Sequence, residues 1–573
     1  MASRTKVSRA TALTVASVIP KFPIWGYLIS FAVALYALFE VYGPALRGPF
    51  VFDDIYLPYS NSHAASIPLK TWLGGRPILG LSFWTDFHLW GSNTLPYHVT
   101  NLLLHFFAAI ILFFIFKKLL AIAATPEPTL TILSAFGGAL FLFHPIQTEV
   151  AAYVASRSEA LSVLFFLAAF CVFLYRRTAA INWQDTALVL LLFLLAIGSK
   201  EHTVTLPALL LLTDYFWNPG FSFSGIRANA RLYVPIACFG LAGAAMVFRY
   251  IASDPMIGFH IEGLGPGTYF LTECRAVFKY IQLFFVPVSQ NIDYDFPLSH
   301  NLAEHGALIA LAGLLLLAIA AFLFRKLYPF AAYGFLAFLL LLSPTSSFVP
   351  INDVLVERRL YLPLFALILV LFEPLRRLRI RSAYLAGGLA IVCCASAYAT
   401  WERAHVWSSV TELFADAAAK SPGKARVHIG YANALYHQGR CREAITEYGA
   451  ATPLKTADYI LYFNLAAAYD CVNASDDAVN MLNRSIAIKP QANAYALLGK
   501  IQSKQGKFDP SLDSFNSAIS LNYHFAATYL YRAAVYVAMG RPQLAYEDYA
   551  ECLRLDPGNQ AAQQGMALLT QRR

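Results

Sequence analysis

Long apolar stretches separated by short polar loops dominate the first 400 residues of the chain. A membrane-spanning helix needs about 20 predominantly apolar residues, and several of these stretches are shorter than that. The pattern predicts a helical membrane domain over residues 24–400, which follows a cationic N-terminal segment over residues 1–23 and begins with an uncleaved signal anchor. The stretches lie near residues 24–43, 97–116, 130–144, 158–175, 186–199, 202–216, 232–249, 268–287, 304–324, 328–343, 360–375 and 383–400.

Clusters of Lys and Arg predict how these helices are oriented, because such clusters concentrate on the cytoplasmic side of a membrane. If the N-terminus is cytoplasmic, all the Lys and Arg clusters lie on the cytoplasmic side only when one of the twelve apolar stretches does not cross the membrane. The best candidate is 268–287, because Glu273, Arg275 and Lys279 interrupt it. We therefore expect about eleven crossings, one re-entrant or interfacial helix, and an external C-terminal half. The clusters are Lys117/Lys118, Arg176/Arg177, Arg227/Arg231, Arg325/Lys326 and Arg376/Arg377/Arg379/Arg381.

Residues 401–573 contain an internal repeat instead of long apolar stretches. Gly439, Asn473, Gly506 and Gly540 follow one another at spacings of 34, 33 and 34 residues, each with a small residue five positions later. This period is that of tetratricopeptide repeats, which stack helix pairs into an α-solenoid. We expect about four repeats and a capping helix over 559–573. Their concave groove suits an extended protein or peptide, and a purely structural or dimerising solenoid is the alternative.

Composition narrows the class of protein. Of the 573 residues 58% are hydrophobic and 13% are charged, as expected of an integral membrane protein. The net charge of +9 forms no basic face suited to nucleic acid. The eight cysteines lack the spacing of metal or redox motifs, so most are expected to be small core residues. Sparse cysteines and short loops favour a bacterial inner membrane with a periplasmic site, and the endoplasmic reticulum lumen is the alternative.

Many polar residues fall in loops that this topology places on the external face. A charge at the membrane edge costs about 2.5–3.5 kcal/mol unless it is paired, so such a gathering favours one shared substrate site. The alternative is that each loop only carries interfacial anchors. The loops contain Asp53/Asp54, Arg76, residues 144–157, residues 200–202, residues 293–295 and residues 352–358.

Ordered motifs over nearly the whole chain carry a family resemblance. They are Phe52-Asp53-Asp54-Ile55, Arg76-Pro77-Ile78, Tyr97-His98 with Asn101 and His105, His144-Pro145-Ile146-Gln147-Thr148-Glu149, Arg157-Ser158-Glu159, Lys200-Glu201, and Glu357-Arg358 with Tyr361 and Pro363. Together with the repeats they resemble the transmembrane and tetratricopeptide repeat-containing protein O-mannosyltransferases, within the GT-C superfamily of polyprenol-dependent glycosyltransferases. Two departures affect the sugar and the acceptor: His202-Thr203 follows Lys200-Glu201, and the repeats are fewer than in animal relatives.

The resemblance implies an enzyme that moves a sugar, with mannose favoured, from a polyprenyl phosphate to Ser or Thr of a protein with inversion. Asp53 matches the acid of the first external loop in such enzymes and is the expected base, with Asp54 as second choice. Cations would stabilise the departing phosphate. The donor-binding candidates are Arg157, Lys200, Arg358 and His144, and the supporting residues are Arg76, Glu201, Glu149 and Glu357.

Simpler interpretations of these residues stay open. The aspartates fit the cap of a short helix, His144-Pro145 fits the end of the third apolar stretch, and Arg358 fits a snorkelling interfacial residue. The reaction requires no metal, and Mg²⁺ or Mn²⁺ would fall on Asp53 and Asp54. Transfer to a lipid or cell-envelope glycan is a second candidate function. A non-catalytic membrane scaffold that assembles partners through its repeats is a third.

Overall fold

The computed structural model of the chain describes residues 24–61, 63–177, 180–253, 261 and 263–571. These residues form α-helices, short 3-10 helices and loops, with no strand among them, which confirms the all-α prediction for the described ranges. The chain divides into two compact units, Met1–Gln290 with Phe296–Ser408 and Asn291–Asp295 with Ser409–Arg573. We call them the membrane unit and the repeat unit. The predicted cytoplasmic segment 1–23 lies outside the described residues.

The membrane unit contains a helix at each of the twelve predicted apolar stretches. Its last helix continues past the predicted domain boundary between residues 400 and 401. The helices are α1 (Ile24–Tyr42), α2 (Leu69–Leu73), α3 (Pro77–Trp90), α4 (Thr94–Ile122), α5 (Thr129–Phe143), α6 (Thr148–Ala152), α7 (Arg157–Arg176), α8 (Trp183–Ile197), α9 (Leu206–Trp217), α10 (Ser224–Ala228), α11 (Ala230–Ser253), α12 (Pro266–Phe285), α13 (Ala307–Leu323), α14 (Pro329–Leu342), α15 (Leu364–Leu375) and α16 (Ser382–Val406).

Five helical segments of the described ranges are long and apolar enough to cross a membrane. A sixth is added if α5 and the segment Pro145–Ala152, bent by 48° at their junction, form one broken span. Four shorter apolar helices of 10–17 residues accompany them. The eleven-crossing topology stays a prediction. The five segments are Ile24–Arg47, Thr94–Ile122, Val154–Arg176, Glu304–Leu323 and Ser382–Val406.

Helix α12 does not meet this criterion for a membrane span, as its interrupting charges led us to expect. One side of the helix is buried at helical spacing, from Tyr269 through Glu273 and Tyr280 to Phe284. The Glu273 carboxylate accepts a hydrogen bond of 3.0 Å from Arg359. Outside this buried side, Arg275 donates to the carbonyl oxygen of Pro297 at 2.7 Å. This two-sided character suits a helix at an interface better than one surrounded by lipid.

Helix α4 lies at the centre of the membrane unit and packs against α5 and α7. Two glycines of α5 permit the close approach. A Cβ atom at Gly137 would lie 2.7 Å from the Phe116 ring, and one at Gly138 would lie 3.3 Å from the carbonyl oxygen of Ala109. Small residues at helix contacts are common in membranes because packing, and not the hydrophobic effect, drives helix association there.

The repeat unit consists of four antiparallel helix pairs between a leading and a capping helix. This confirms the predicted α-solenoid fold for the described residues. The helices are α17 (Val410–Lys420), α18 (Ala425–His437), α19 (Cys441–Ala451), α20 (Tyr459–Cys471), α21 (Ser475–Ile488), α22 (Ala492–Lys504), α23 (Phe508–Leu521), α24 (Ala526–Ala538), α25 (Pro542–Leu555) and α26 (Gln560–Gln571).

The residues that revealed the repeat in the sequence occupy the turns inside the four helix pairs. Gly439, Asn473, Gly506 and Gly540 all have positive φ, between 59° and 75°. Glycine adopts this left-handed conformation without a steric penalty, and asparagine tolerates it better than most residues. The period of 33 or 34 residues therefore reflects one backbone requirement that returns once per helix pair.

A five-residue segment from the loop after α12, residues 291–295, belongs to the repeat unit. Its Asp293 carboxylate accepts hydrogen bonds from Lys424 at 2.7 Å and Arg426 at 2.6 Å. Burial disfavours the charged carboxylate, but these two cations hold the pKa of Asp293 below its ordinary value. The Ser421 hydroxyl donates to the Asp293 carbonyl oxygen at 2.7 Å and accepts from Asn291 at 2.7 Å. The beginning of the repeat array is thus built around this inserted segment.

A disulfide bond joins Cys441, the first residue of α19, to Cys471, the last residue of α20. The Cα atoms are 6.2 Å apart and 30 residues separate the two positions. The expectation that the cysteines are mostly core residues missed this pair, because nothing in their spacing marks it. The bond connects the second helix of the first repeat to the first helix of the next one.

We predict that Cys441→Ser, Cys471→Ser and the double variant lose the same stability, about 3–4 kcal/mol for a loop of this length, because each removes the same cross-link. The midpoint of thermal unfolding and the hydrogen-exchange protection of α19 and α20 measure the loss. Cys238→Ser, at an exposed free cysteine, is the matched control and should leave both quantities unchanged. Equal midpoints for the wild type with and without reductant would contradict the prediction.

Candidate active site

The two predicted aspartates lie next to each other in a 3-10 turn, Phe52–Tyr56, but have different environments. Asp53 is exposed, whereas Asp54 is fully buried. Asp54 accepts three hydrogen bonds: from the Val51 N–H at 3.0 Å, the Tyr59 hydroxyl at 2.8 Å and the Ala155 N–H at 2.8 Å. Burial raises the pKa of Asp54 to about 7, against the opposing effect of these donors. Asp53 is therefore available to a substrate, while Asp54 holds the turn in place.

Phe52 adopts the left-handed backbone conformation, with a φ of 49°. This conformation costs a bulky residue on the order of 1–3 kcal/mol and persists only where surrounding contacts impose it. Here the Phe52 ring packs edge-on against Tyr153, with centroids 6.2 Å apart, and the Asp53 N–H donates to the Tyr153 hydroxyl at 2.9 Å. The segment that precedes α7 thus contacts the turn on both sides of Asp53, through Tyr153 on one side and the Ala155 N–H on the other.

Two of the predicted phosphate-binding cations, Lys200 and Arg358, come together beside this segment. Lys200 forms an ion pair with Glu159, and Arg358 lies 3.9 Å from the same carboxylate. Arg358 also pairs with Glu149 at 2.6 Å, and its N–H donates to Glu149 at 2.9 Å. The two carboxylates are 2% and 6% exposed, but the cations are 18% and 24% exposed. The buried acids therefore hold the cations, which are the more exposed members of the two pairs.

Arg76 adds a third cation near Lys200. Its guanidinium donates two hydrogen bonds of 2.9 Å to Glu201, and both side chains are more than one third exposed. Burial and the charges of Arg76 and Arg358 lower the pKa of Lys200, while Glu159 acts in the opposite direction. Next to them, burial lowers the pKa of His202 to about 4, so this imidazole is neutral at physiological pH.

Arg157, the third predicted phosphate ligand, is fully buried, unlike these cations. It forms a 2.7 Å ion pair with Asp86 and donates to Asn101 at 2.8 Å and to the carbonyl oxygen of Tyr97 at 3.0 Å. The guanidinium also lies over the Phe83 ring, 4.6 Å from its centroid. In this structure Arg157 braces the packing of α3, α4 and α7, and its role in donor binding stays a prediction.

His144 and Glu357 also lie in the interior. His144 accepts from the Ile146 N–H through Nδ1 at 3.2 Å, and its Nε2 lies 2.9 Å from the carbonyl oxygen of Phe284. His144 therefore caps the 3-10 turn Pro145–Gln147 that follows α5, and its ring adds a contact to α12. Glu357 accepts a 2.8 Å hydrogen bond from Gln290, which also donates to Pro145 at 3.0 Å. Both residues fix loop positions, and the donor-binding role of His144 is untested.

Several residues that contact the predicted site residues, or lie next to them, were not themselves predicted. Glu159 stood in a quoted motif, two positions after Arg157, and its acidic character close to cations was the available signal. Arg359 pairs with Glu273 next to the predicted Arg358. Tyr153 and Asp86 carried no signal, because an aromatic residue and a single acid in an apolar context are common in membrane helices and at their ends.

The side chains of the turn offer a metal ion few free ligands. Within the described ranges, no group of three or more His, Cys, Asp or Glu residues is placed to hold an ion. Asp53 is exposed, but Asp54 is buried and its two oxygens accept three protein donors. An ion shared by the pair would compete with these donors at Asp54, and Mg²⁺ or Mn²⁺ at this pair stays a prediction.

The arrangement as a whole combines an exposed carboxylate with partly exposed cations. The Tyr153 hydroxyl accepts a hydrogen bond from the Asp53 N–H at 2.9 Å, and Glu159, which follows in the same stretch of chain, pairs with Lys200. A carboxylate of this kind accepts a proton from a hydroxyl, and neighbouring cations stabilise negative charge that develops on a leaving group. The geometry therefore suits group transfer from a phosphate-bearing donor.

We predict that Asp54→Asn destabilises the membrane unit by about 1–3 kcal/mol, because the amide nitrogen would face one of the three N–H or O–H donors. The matched change Asp53→Asn at the exposed neighbour should alter stability by less than about 0.5 kcal/mol. The midpoint of thermal unfolding in detergent measures both. Equal midpoints for the two variants would show that Asp54 does not hold the turn.

Comparison with known proteins gives similarity at three levels. A family model described as Tetratricopeptide repeat matches residues 492–525 and 526–559. Two solved structures align with about a quarter of the chain, a MamA protein (20% identity, 26% of this chain, 81% of that chain, TM-score 0.24) and the tetratricopeptide-repeat protein YrrB (18%, 28%, 82%, TM-score 0.25).

Curated relatives match over a much larger part of the chain. Protein O-mannosyl-transferase TMTC3 from Homo sapiens is 22% identical over 89% of this chain and 62% of the relative. TMTC1 from Homo sapiens is 24% identical over 72% of this chain and 54% of the relative, and protein O-mannosyl-transferase F38B6.6 from Caenorhabditis elegans is 23% identical over 69% and 54%. The chain thus spans less than two thirds of the length of these relatives. These matches confirm the predicted resemblance of the chain to the transmembrane and tetratricopeptide repeat-containing protein O-mannosyltransferases.

Proposed function

We propose that the protein is a membrane glycosyltransferase of the GT-C type that transfers a sugar, with mannose favoured, from a polyprenyl phosphate to Ser or Thr of a protein. The observation that carries this proposal is the exposed carboxylate of Asp53 on a turn held by Tyr153, on the segment that leads into α7, where Glu159 pairs with Lys200 and lies 3.9 Å from Arg358. The names of the curated relatives favour protein O-mannosylation over transfer to a lipid or glycan.

The proposed reaction is a single displacement with inversion. Asp53 removes the proton of the acceptor hydroxyl. The oxygen of that hydroxyl then forms a bond to the anomeric carbon of the sugar, while the bond between the anomeric carbon and the phosphate oxygen breaks. The donor phosphodiester carries one negative charge, and the departing polyprenyl phosphate carries two. Lys200 and Arg358 stabilise the additional charge, and their buried partners Glu149 and Glu159 keep them in position. One carboxylate suffices because no covalent sugar intermediate forms.

We further propose that the site and the repeats face an oxidising compartment, either a bacterial periplasm or the lumen of the endoplasmic reticulum. The disulfide bond between Cys441 and Cys471 supports this, because such bonds persist outside the reducing cytosol. The positive clusters between the apolar stretches support the same orientation. Between the two compartments we favour the bacterial periplasm.

We predict that Asp53→Asn reduces sugar transfer by a factor of about 10²–10⁴ while the affinity for the lipid-linked donor stays near the wild-type value. Transfer of radiolabelled mannose from a polyprenyl phosphate to a Ser/Thr peptide measures the rate, and equilibrium binding of the donor measures the affinity. Because Asp53 is exposed, the variant should remain folded. Turnover at the wild-type rate would remove Asp53 from the mechanism, whereas no transfer by the wild type itself would favour a non-catalytic scaffold.

We also predict that Lys200→Ala and Arg358→Ala weaken donor binding by roughly 10- to 100-fold, the usual effect of losing a hydrogen bond to a charged group. Arg157→Ala should instead reduce the yield of folded protein, because it strands the Asp86 carboxylate in the interior at a cost of about 3–5 kcal/mol. Lys200→Ala and Arg358→Ala also leave the buried carboxylates of Glu159 and Glu149 without a full partner and should lower the unfolding midpoint, so donor affinity is measured on the folded fraction of each variant. Wild-type donor affinity in both Lys200→Ala and Arg358→Ala would rule out these two cations as the phosphate site.

A further inference from the structure

Trp407 follows the last residue of α16 and lies two residues before the start of the repeat unit at Ser409. The residue is buried, with 4% of its surface exposed. Its indole Nε1–H has no hydrogen-bond partner among the described residues. A buried indole N–H usually finds such a partner, so this ring is held in place by its packing and not by a hydrogen bond.

The Trp407 ring stacks on Tyr153, the residue that contacts the turn around Asp53. The two ring centroids are 6.0 Å apart, and the ring planes are inclined by 26°. Tyr153 is also buried, and its hydroxyl accepts the 2.9 Å hydrogen bond from the Asp53 N–H. The Phe52 ring packs against the same tyrosine, with 6.2 Å between the centroids. A continuous series of contacts therefore leads from Trp407 to the backbone of Asp53.

The backbone of Trp407 makes a second contact, with the segment that leads into the turn. A Cβ atom at Gly48 would lie 2.7 Å from the Trp407 carbonyl oxygen, so this close approach requires glycine. The Gly48 carbonyl oxygen in turn lies 3.1 Å from Nε2 of the buried His98. Trp407 thus contacts the chain four residues before Phe52 through its carbonyl group, and the residue that holds the turn through its ring.

The Asp53 carboxylate depends on the backbone of the turn for its position. The side chain is exposed, and no group of the described residues binds its carboxylate through a hydrogen bond or an ion pair. The Asp53 N–H, by contrast, is held by the Tyr153 hydroxyl. A displacement of about 1 Å at a reacting group can cost on the order of 10²-fold in rate. A residue that fixes the Tyr153 ring can therefore affect the rate without contacting the substrate.

We propose that Trp407 is a positioning residue for sugar transfer, which holds Asp53 in its reactive place through Tyr153. The proposal rests on the proposed transferase function, because it assigns a support to the carboxylate that acts as the base there. It adds to that function a residue that lies more than 350 positions after Asp53 in the chain and that ends the membrane unit together with Ser408.

Trp407→Ala removes the ring that stacks on Tyr153 and should lower kcat about 10- to 100-fold, because the Asp53 N–H loses a fixed acceptor. The KM for the lipid-linked donor should stay near the wild-type value, because the cations proposed to bind its phosphate are held by Glu149 and Glu159 instead. Steady-state sugar transfer by the full-length protein in nanodiscs measures both quantities.

Two further variants distinguish positioning from a general loss of stability. Trp407→Phe keeps an aromatic ring for the stack and loses an indole N–H that the packing does not use, so its kcat should return close to the wild-type value. Trp217→Ala is the matched control, because this tryptophan also packs against aromatic rings, those of Phe330 and Tyr333. It should lower the unfolding midpoint and leave the kcat of the folded protein unchanged.

Tyr153→Phe tests the path from Trp407 to Asp53. This change removes the hydroxyl that accepts the Asp53 N–H but keeps the stacked ring, so it should also lower kcat. Because both changes act on one support, the double variant Trp407→Ala/Tyr153→Phe should be little slower than the slower single variant. Effects on kcat that multiply would overturn the proposal. Trp407→Leu keeps apolar volume at the position and takes the place of Trp407→Ala if the alanine variant does not fold.

Hydrogen exchange of the turn Phe52–Tyr56, followed by mass spectrometry, is a readout that does not require activity. Exchange should be faster in Trp407→Ala than in the wild type, Trp407→Phe or Trp217→Ala. Unchanged exchange in Trp407→Ala, or faster exchange with a wild-type kcat, would overturn the positioning role. A wild type that transfers no sugar would refute the proposed function, and the exchange rates would then still decide whether Trp407 holds the turn.

Discussion

The membrane unit is organised by the free energy required to bury an unpaired charge in an apolar interior. This cost is several kcal/mol or more, so each buried ionised side chain needs an opposite charge or several hydrogen bonds. Arg157 meets Asp86, Arg177 meets Asp214 and Arg359 meets Glu273, all within the packed helices. At the candidate site only the acidic member of each ion pair is buried. Glu149 and Glu159 are buried, but their cations are partly exposed, and in the proposed function this exposure makes them available to the donor phosphate.

The same constraint explains why two identical neighbours, Asp53 and Asp54, differ in role. A buried carboxylate must be surrounded by donors, and Asp54 obtains them from Val51, Tyr59 and Ala155. Those bonds help impose the unfavourable backbone of Phe52, and the turn places the next residue, Asp53, at the surface. In the proposed function, the reactive Asp53 is thus positioned by a neighbour that never needs to contact the substrate.

Sequence patterns predicted those features that depend on local spacing. Apolar stretches located the helices, and the glycine or asparagine of each repeat marked a turn with positive φ. For Asp53, Lys200 and Arg358, charge in a loop was sufficient to predict a place near the surface. For Arg157 and His144 the same reasoning was insufficient, because their motifs also suit buried residues that hold helices together. Only the packing of α3, α4, α7 and α12 determines that these two side chains are buried. Cys441 and Cys471 meet only after two repeats stack, so their spacing could not reveal the bond.

The insertion of residues 291–295 into the repeat unit has a consequence for biosynthesis. Asp293 is made more than 120 residues before Ser421, Lys424 and Arg426, with which it pairs. At translation rates of about 5–20 residues per second, the segment remains without these partners for roughly 6–25 s. The contacts at the start of the repeat unit therefore form only when it meets a piece of chain that left the ribosome much earlier. Its assembly depends on long-range closure, which is the slow step in folds dominated by non-local contacts.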